Sequence, residues 1–181
     1  LTNQLITSEN FKMNRGDLKY PPARTLNYWQ VAQILLRLHH VIRIAPTTGS
    51  FDREYDLLAM YQFTGPSAGT YTNSEDDIRT MARQYNTTLS LNEFKELQAV
   101  LREDSPRVNV CRDRDIIAVN NGVFFYGNED RDVSIADKTY HFKAKSLTAF
   151  SPDFVFLAKS HVDYVPNAPQ QIITMEDGVD W

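Results

Sequence analysis

Apolar residues recur along this chain with two different periods, and the change falls near Pro106. From Thr25, Val31, Ile34, Leu35 and Leu38 share one helical face with Trp29, Ala32 and Leu36 beside it. Gln30, Gln33, Arg37 and His40 fill the remaining wedge, so this helix is mostly buried. Val41-Ile42-Arg43-Ile44 either alternates as a strand or continues the helix until Pro46. Leu57–Tyr61 and Thr70-Tyr71-Thr72 read as two short strands joined by a loop rich in Gly and Pro, with helix as the competing assignment over 53–60. Two helices follow. Ser74 with Asp77 starts the first, carrying Ile78, Met81, Ala82 and Tyr85, and Ser90 with Glu93 starts the second, carrying Leu91, Phe94, Leu97 and Leu101. The link between them is short, which predicts adjacent packing, and Ser105-Pro106 closes the block.

Beyond Pro106 the period becomes that of strands. Val108 and Val110 alternate with polar neighbours, Ile116–Val119 is a buried run, and Val123–Tyr126 returns from a turn at Asn121-Gly122, a pair that suits φ > 0 at both central positions. Residues 127–138 read as a charged loop. Tyr140 and Phe142 then alternate, and Leu147–Phe150, Phe154–Leu157 and Val162–Val165 follow, punctuated by Ser151-Pro152 and Pro166. The predicted class is α+β: a polar, basic arm over 1–25, a helical lobe with short strands over 26–105, and a small, mostly antiparallel β lobe over 106–181.

Composition narrows the functional classes. With 42% hydrophobic residues in 181, the chain can build one domain or two small lobes sharing a core. It has no apolar run near the roughly 20 residues that cross a bilayer, which together with the polar start at Leu1 predicts a cytoplasmic protein without membrane contact. The net charge of −4 argues against a dedicated duplex-DNA binder. Charge is uneven, however: residues 1–45 hold six basic and two acidic groups, leaving −8 for the remainder. Lys12, Arg15, Lys19, Arg24, Trp29, Arg37 and Arg43, interleaved with Phe11, Tyr20 and Tyr28, therefore form the candidate nucleic-acid surface, cations meeting phosphates and rings stacking on single-stranded bases. The bland alternative is a solvated arm with Tyr28 and Trp29 in the core.

Catalytic chemistry has one foothold. Asp113 and Asp115 lie two apart on the approach to a strand and can face the same way, as a carboxylate pair sharing a divalent metal for nucleotidyl transfer or nuclease activity would. An Asp- and Arg-rich turn accounts for the same residues structurally. No metal site is expected elsewhere: His39 and His40 diverge around a helix, His141 and His161 lack cysteine partners, and Glu75-Asp76-Asp77 occupies a helix first turn, where acids favour the dipole. Cys111 is the single cysteine and reads as a small half-buried residue. The tripeptide Arg15-Gly16-Asp17 and the sequon Asn86-Thr87-Thr88 read as chance. No phosphate-cradling Gly-x-x-x-x-Gly-Lys-Ser/Thr loop is present, so ATP hydrolysis is not expected of this segment, and its ends suggest a piece of a longer protein.

Residues 57–168 resemble the domain preceding the superfamily 3 helicase in phage- and plasmid-type primase-helicases, the group that includes the poxvirus primase-helicase. The resemblance rests on Tyr61, Gly69-Thr70-Tyr71, the helix carrying Leu97 and Leu101, Ile117-Ala118-Val119-Asn120-Asn121-Gly122-Val123, Phe150-Ser151-Pro152-Asp153 and Asp163-Tyr164-Val165-Pro166-Asn167-Ala168. The charged insert 127–138 departs from the tight link usual in that family. The resemblance implies a connecting domain without chemistry or cofactor of its own, in which Asn121, Gly122, Ser151 and Pro152 serve as structural turns. It also implies primase and helicase domains in the same chain, ATP and Mg²⁺ in the helicase, a homo-oligomeric ring and replication in a bacterial cytoplasm. The resulting expectation is a non-catalytic accessory domain that positions single-stranded DNA and the helicase. The alternatives are metal-dependent nucleotidyl transfer or nuclease action at Asp113 and Asp115, and a protein–protein assembly module.

Overall fold

A computed structural model describes residues 26–45 and 56–165. These form three helices, α1 (Tyr28–Leu38), α2 (Glu75–Tyr85) and α3 (Leu91–Asp104). They also form nine strands: β1 (Ile42–Ile44), β2 (Leu57–Tyr61), β3 (Tyr71–Thr72), β4 (Arg107–Val108), β5 (Ile116–Val119), β6 (Gly122–Phe125), β7 (Arg131–Ile135), β8 (Lys138–Phe142) and β9 (Ser146–Thr148). The class is α+β, with the helices in the first half. No helix among the described residues is long and apolar enough to cross a membrane.

Helix starts follow local chemistry. Asn27 caps α1 in a full capping box with Gln30, so the helix begins later than the Thr25 suggested by periodicity. Ser90 and Glu93 form the same reciprocal pair on α3. Ser74 caps α2, but the Asp77 carboxylate accepts from Thr72 Oγ1 at 2.7 Å instead of reaching back to Ser74, so that box is half made. α1 ends at His39, and His40 takes φ +49°, turning the chain into β1. Residues 42–44 are therefore strand, not continued helix.

The first sheet has the order β3-β2-β1-β4, with β1 antiparallel to β2 and parallel to β4. Its alternating residues divide between two cores. Leu58 and Met60 join Val31, Ile34, Leu35, Leu97 and Leu101 beneath the helices. On the opposite face Ile42, Ile44, Ala59, Tyr61 and Tyr71 pack against Val155. α3 packs most extensively on α1, so the short α2–α3 link does not make those two the principal pair. Leu91, assigned to the apolar stripe of α3, is exposed.

Arg43 has Leu58 opposite it in the β1–β2 register and is buried. Its Nε and Nη2 donate to the Ser105 carbonyl at the end of α3, at 3.2 and 2.9 Å. This meets both the missing acceptor partners and the negative dipole end of that helix. Its Nη1 lies 3.7 Å from Asp56, a fully buried carboxylate that Arg107 grips in bidentate fashion at 3.0 and 3.1 Å. Arg102 donates to the Asp56 carbonyl at 3.0 Å, tying α3 to the same point.

The second half holds a three-stranded sheet, β5-β6-β9, and a separate hairpin, β7-β8. Ile116, Ala118, Val123 and Phe125 pack with Phe142, Phe154 and Phe156 in a third core. Three expectations change here. The β5–β6 turn consists of Asn120 and Asn121, neither with positive φ, and Gly122 (φ +158°) is already the first residue of β6. Gly122 is needed by close approach: an added Cβ would lie 2.6 Å from the Thr148 carbonyl of β9. Residues 131–135, read as loop, are strand, because Val133 and Ile135 alternate toward the third core while Ala136 and Asp137 supply the two positive-φ turn positions. Phe154–Leu157 and Val162–Val165, read as strands, are irregular, their backbone bonds being divided among several neighbours.

Asp56→Asn removes the charge facing a buried guanidinium, and urea unfolding is expected to show a loss of about 3–5 kcal/mol. A change below about 1 kcal/mol would mean that the buried charge cluster does not hold α3 to the sheet.

Candidate functional site: a lobe junction built from the motif residues

The turn segments noted in the sequence meet in two pairs, 69–71 with 150–152 and 120–121 with 163–164. Gly69, at φ +92°, faces the Phe150 ring so closely that a Cβ would lie 2.4 Å from it. Two residues on, the Tyr71 hydroxyl donates to the Pro152 carbonyl at 2.5 Å and its N–H donates to Phe156 O at 2.8 Å. Thr70 Oγ1 donates to Ser67 O at 2.7 Å, shaping the turn that presents these groups. Burial, reinforced by nearby Tyr61 and Asp153, pushes the Tyr71 hydroxyl well above its usual range, so it stays a donor.

Ser151 and Pro152 form a turn in which Ser151 Oγ accepts from the Asp153 N–H at 3.2 Å and Ser151 O accepts from the Phe154 N–H at 3.0 Å. Asp153 then reaches the hairpin: Lys138 Nζ donates to it at 3.0 Å, and so does the Tyr140 hydroxyl. Partial burial pushes the Asp153 carboxyl up, but the hydroxyl and the ammonium outweigh it and hold it below the ordinary carboxylate range.

Asn120 and Asn121 clamp the outgoing chain. Asn121 Nδ2 donates to Tyr164 O at 2.7 Å and its Oδ1 accepts from the Tyr164 N–H at 3.0 Å, so one amide side chain pairs with a backbone as a strand neighbour would. Asn120 Nδ2 donates to Asp163 at 2.7 Å, and the Tyr164 ring packs on Phe124 at 4.4 Å between centroids.

Asp113 and Asp115 do come together, but around a cation. Arg131, at the start of β7, donates one guanidinium nitrogen to Asp113 and another to Asp115 at 3.3 Å. The Asp113 Oδ1 accepts from the Asp115 N–H at 3.0 Å. Arg131 holds the Asp113 carboxyl below its usual value, and no group of three His, Cys, Asp or Glu side chains placed to hold a metal occurs among the described residues. A shared metal at this pair would have to displace the guanidinium.

Of the proposed nucleic-acid residues, Lys12, Arg15, Lys19 and Arg24 lie outside the described residues, as does the whole 1–25 arm. Arg37 is exposed and Trp29 half-buried on α1. Arg43 points inward to Ser105 and Asp56, so the fold uses it and no phosphate can reach it. His39 accepts or donates one hydrogen bond with Tyr85 Oη at 2.8 Å, and burial, with His40 adding to it, lowers its pKa.

Sequence reading missed Arg131, Lys138 and Tyr140 as partners of the motif acids. The alternation through Val133 and Ile135 was the available signal for the hairpin that delivers them. Nothing marked Asp56 as a buried carboxylate. No protein-family model matches this chain, and no curated protein matches it either.

Gly69→Ala is expected to destabilise the chain by about 1–3 kcal/mol in urea unfolding, part of which Phe150→Ala restores in the double variant by vacating the space. Strict additivity of the two changes would show that the ring and the glycine are not in contact. Acid sensitivity follows from Asp113. Its folded pKa lies below the ordinary 3.8, so its stabilising contribution is complete above that value and is lost as pH falls through the depressed folded value. Thermal unfolding midpoints followed downward from about pH 6 are expected to drop less steeply for Arg131→Gln than for the wild type. Parallel curves would show that the pair contributes nothing to acid stability.

Proposed function

We propose that this chain is a non-catalytic accessory domain of a phage- or plasmid-type primase-helicase, acting in a bacterial cytoplasm to position single-stranded DNA and the helicase. The observation that supports it is the use to which the recurring polar residues are put. Ser151 and Pro152 spend their groups on a turn, Asn120, Asn121 and Asp153 on contacts within the second half, and Gly69 and Tyr71 on contacts between the two halves. A connecting domain needs such rigidity, because it must hold two neighbours at a fixed spacing. A nucleotidyl transferase needs unspent carboxylates, and Asp113 and Asp115 are bridged by Arg131. In this reading ATP and Mg²⁺ act in the helicase domain of the same chain, which assembles as a ring.

The DNA contact falls to the basic, aromatic first quarter. Arg37 and Trp29 extend it onto α1, and Arg43 does not belong to it. Fluorescence anisotropy with a labelled oligothymidylate at low salt tests this. Saturable binding that weakens at least about tenfold when Lys12, Arg15, Lys19 and Arg24 are all changed to Glu, and weakens steeply with salt, is the expected result. Absence of binding at tens of micromolar removes the DNA role and leaves a spacer. Primer synthesis or nuclease activity that disappears in Asp113→Asn and Asp115→Asn would replace this reading with the enzymatic one.

A further inference from the structure

Asn121-Gly122 is the one Asn-Gly pair in the chain, and that pair carries covalent chemistry as well as a turn. Glycine has no side chain to shield its backbone nitrogen or to restrict its approach, so the nitrogen can attack the side-chain carbonyl carbon of a preceding asparagine. The new N–Cγ bond closes a cyclic imide, and Nδ2 leaves as ammonia, taking up the proton of the Gly122 amide. Water then opens the imide at either carbonyl, leaving aspartate or isoaspartate at position 121. Water is the single co-reactant.

The fold decides how readily that step occurs. Asn121 is exposed, but both its amide atoms are engaged with one residue: Nδ2 donates to Tyr164 O at 2.7 Å and Oδ1 accepts from the Tyr164 N–H at 3.0 Å. Ring closure makes Cγ tetrahedral and expels Nδ2, so it proceeds only where this pairing is given up. Tyr164 is held from other sides as well. Its ring packs on Phe124 at 4.4 Å between centroids, its hydroxyl donates to Lys145 O at 3.1 Å, and Asn120 Nδ2 donates to the adjacent Asp163 at 2.7 Å. Gly122 is fixed in the ladder opposite Val119, and an added Cβ would lie 2.6 Å from Thr148 O, so its backbone has little room to swing toward the side chain.

We propose that Asn121 is a site of spontaneous deamidation gated by its clamp on Tyr164, and that the reaction opens the clamp in one direction only. Loss of ammonia removes the donor to Tyr164 O. An ionised carboxylate at position 121 has acceptors alone, which sets it against that carbonyl and adds a negative charge beside Asp163. Isoaspartate also lengthens the main chain by one carbon inside the two-residue turn, where the contact of Gly122 with Thr148 leaves no space for it. The age of the molecule, not a ligand, then sets how firmly residues 163–164 are held. This property belongs to the hairpin and is independent of any DNA contact and of the primase-helicase reading.

Incubating the full chain beside a synthetic peptide of residues 117–126 in mildly alkaline buffer, with mass-spectrometric mapping of aspartate and isoaspartate at position 121, tests it. The peptide has no Tyr164 and is expected to convert at least about tenfold faster than the folded chain. Asn120→Ala removes an exposed side chain and its bond to Asp163. Relative to its matching peptide, it is expected to speed conversion of the folded chain several-fold with an unchanged thermal midpoint, and Tyr164→Ala to speed it further. Should Tyr164→Ala lower the midpoint, Asn120→Ala carries the reading by itself. Chymotryptic cleavage after Tyr164 follows the open population and is expected to rise several-fold in Asn121→Asp. Equal rates in peptide and folded chain, or a folded rate that neither Asn120→Ala nor Tyr164→Ala changes, overturn the gate. Cleavage after Tyr164 that Asn121→Asp leaves unchanged overturns the release.

Discussion

A short extended segment, 154–156, ties the two halves of this protein together beside the β1–β4 pairing, and much of the arrangement depends on it. Tyr71 donates to Phe156 and Cys111 donates to Val155, so the segment is bonded to the helical half by one residue and to the crossover by the next. Its side chains divide in the same way: Val155 closes the face of the first sheet opposite the helices, while Phe154 and Phe156 enter the core of the second half. A four-stranded sheet buries both faces only if something covers the side away from its helices. Here that cover is the same segment, which explains why the Phe150-Ser151-Pro152-Asp153 turn before it is held at Gly69, Tyr71, Lys138 and Tyr140.

Charge in this chain is spent mainly on architecture. Asp56 gathers Arg43 and Arg107 beneath the end of α3, and Arg131 gathers Asp113 and Asp115 at the base of the hairpin. The two clusters differ in setting. The first is desolvated, so loss of either sign leaves an uncompensated charge, whereas the second is partly exposed and screened, so it steers geometry more than it stabilises. In both, two like charges share one residue of opposite sign. The proposed role as a connecting domain draws on backbone and shape instead of reactive side chains.

What could be read from the sequence was local. The capping pair Ser90 and Glu93 and the apolar spacing of Ile78, Ala82, Phe94 and Leu97 specify α2 and α3 through contacts three or four residues apart. The β5–β6 hairpin was legible too, but its turn was placed one residue late, because Asn121-Gly122 satisfies turn chemistry while the real demand on Gly122 comes from Thr148 across the sheet. Residues 131–135 were hidden by their charge: an exposed two-stranded ribbon carries polar residues on one face, and its turn uses Ala136 and Asp137 in place of the usual asparagine and glycine.

The sequence alone determined the α+β class, the three helices, the change of period at Pro106 and the grouping of turn residues at 69–71, 120–122 and 150–153. These follow from propensity, capping and periodicity, all of which act over a few positions. Only the tertiary structure decided that Arg43 serves the core, that Arg131 bridges the two aspartates, and that the 69–71 and 150–153 turns meet while Asn120 and Asn121 clamp residues 163–164. Those outcomes depend on which residues meet across tens of positions, a matter of sheet order and crossover that no local pattern encodes.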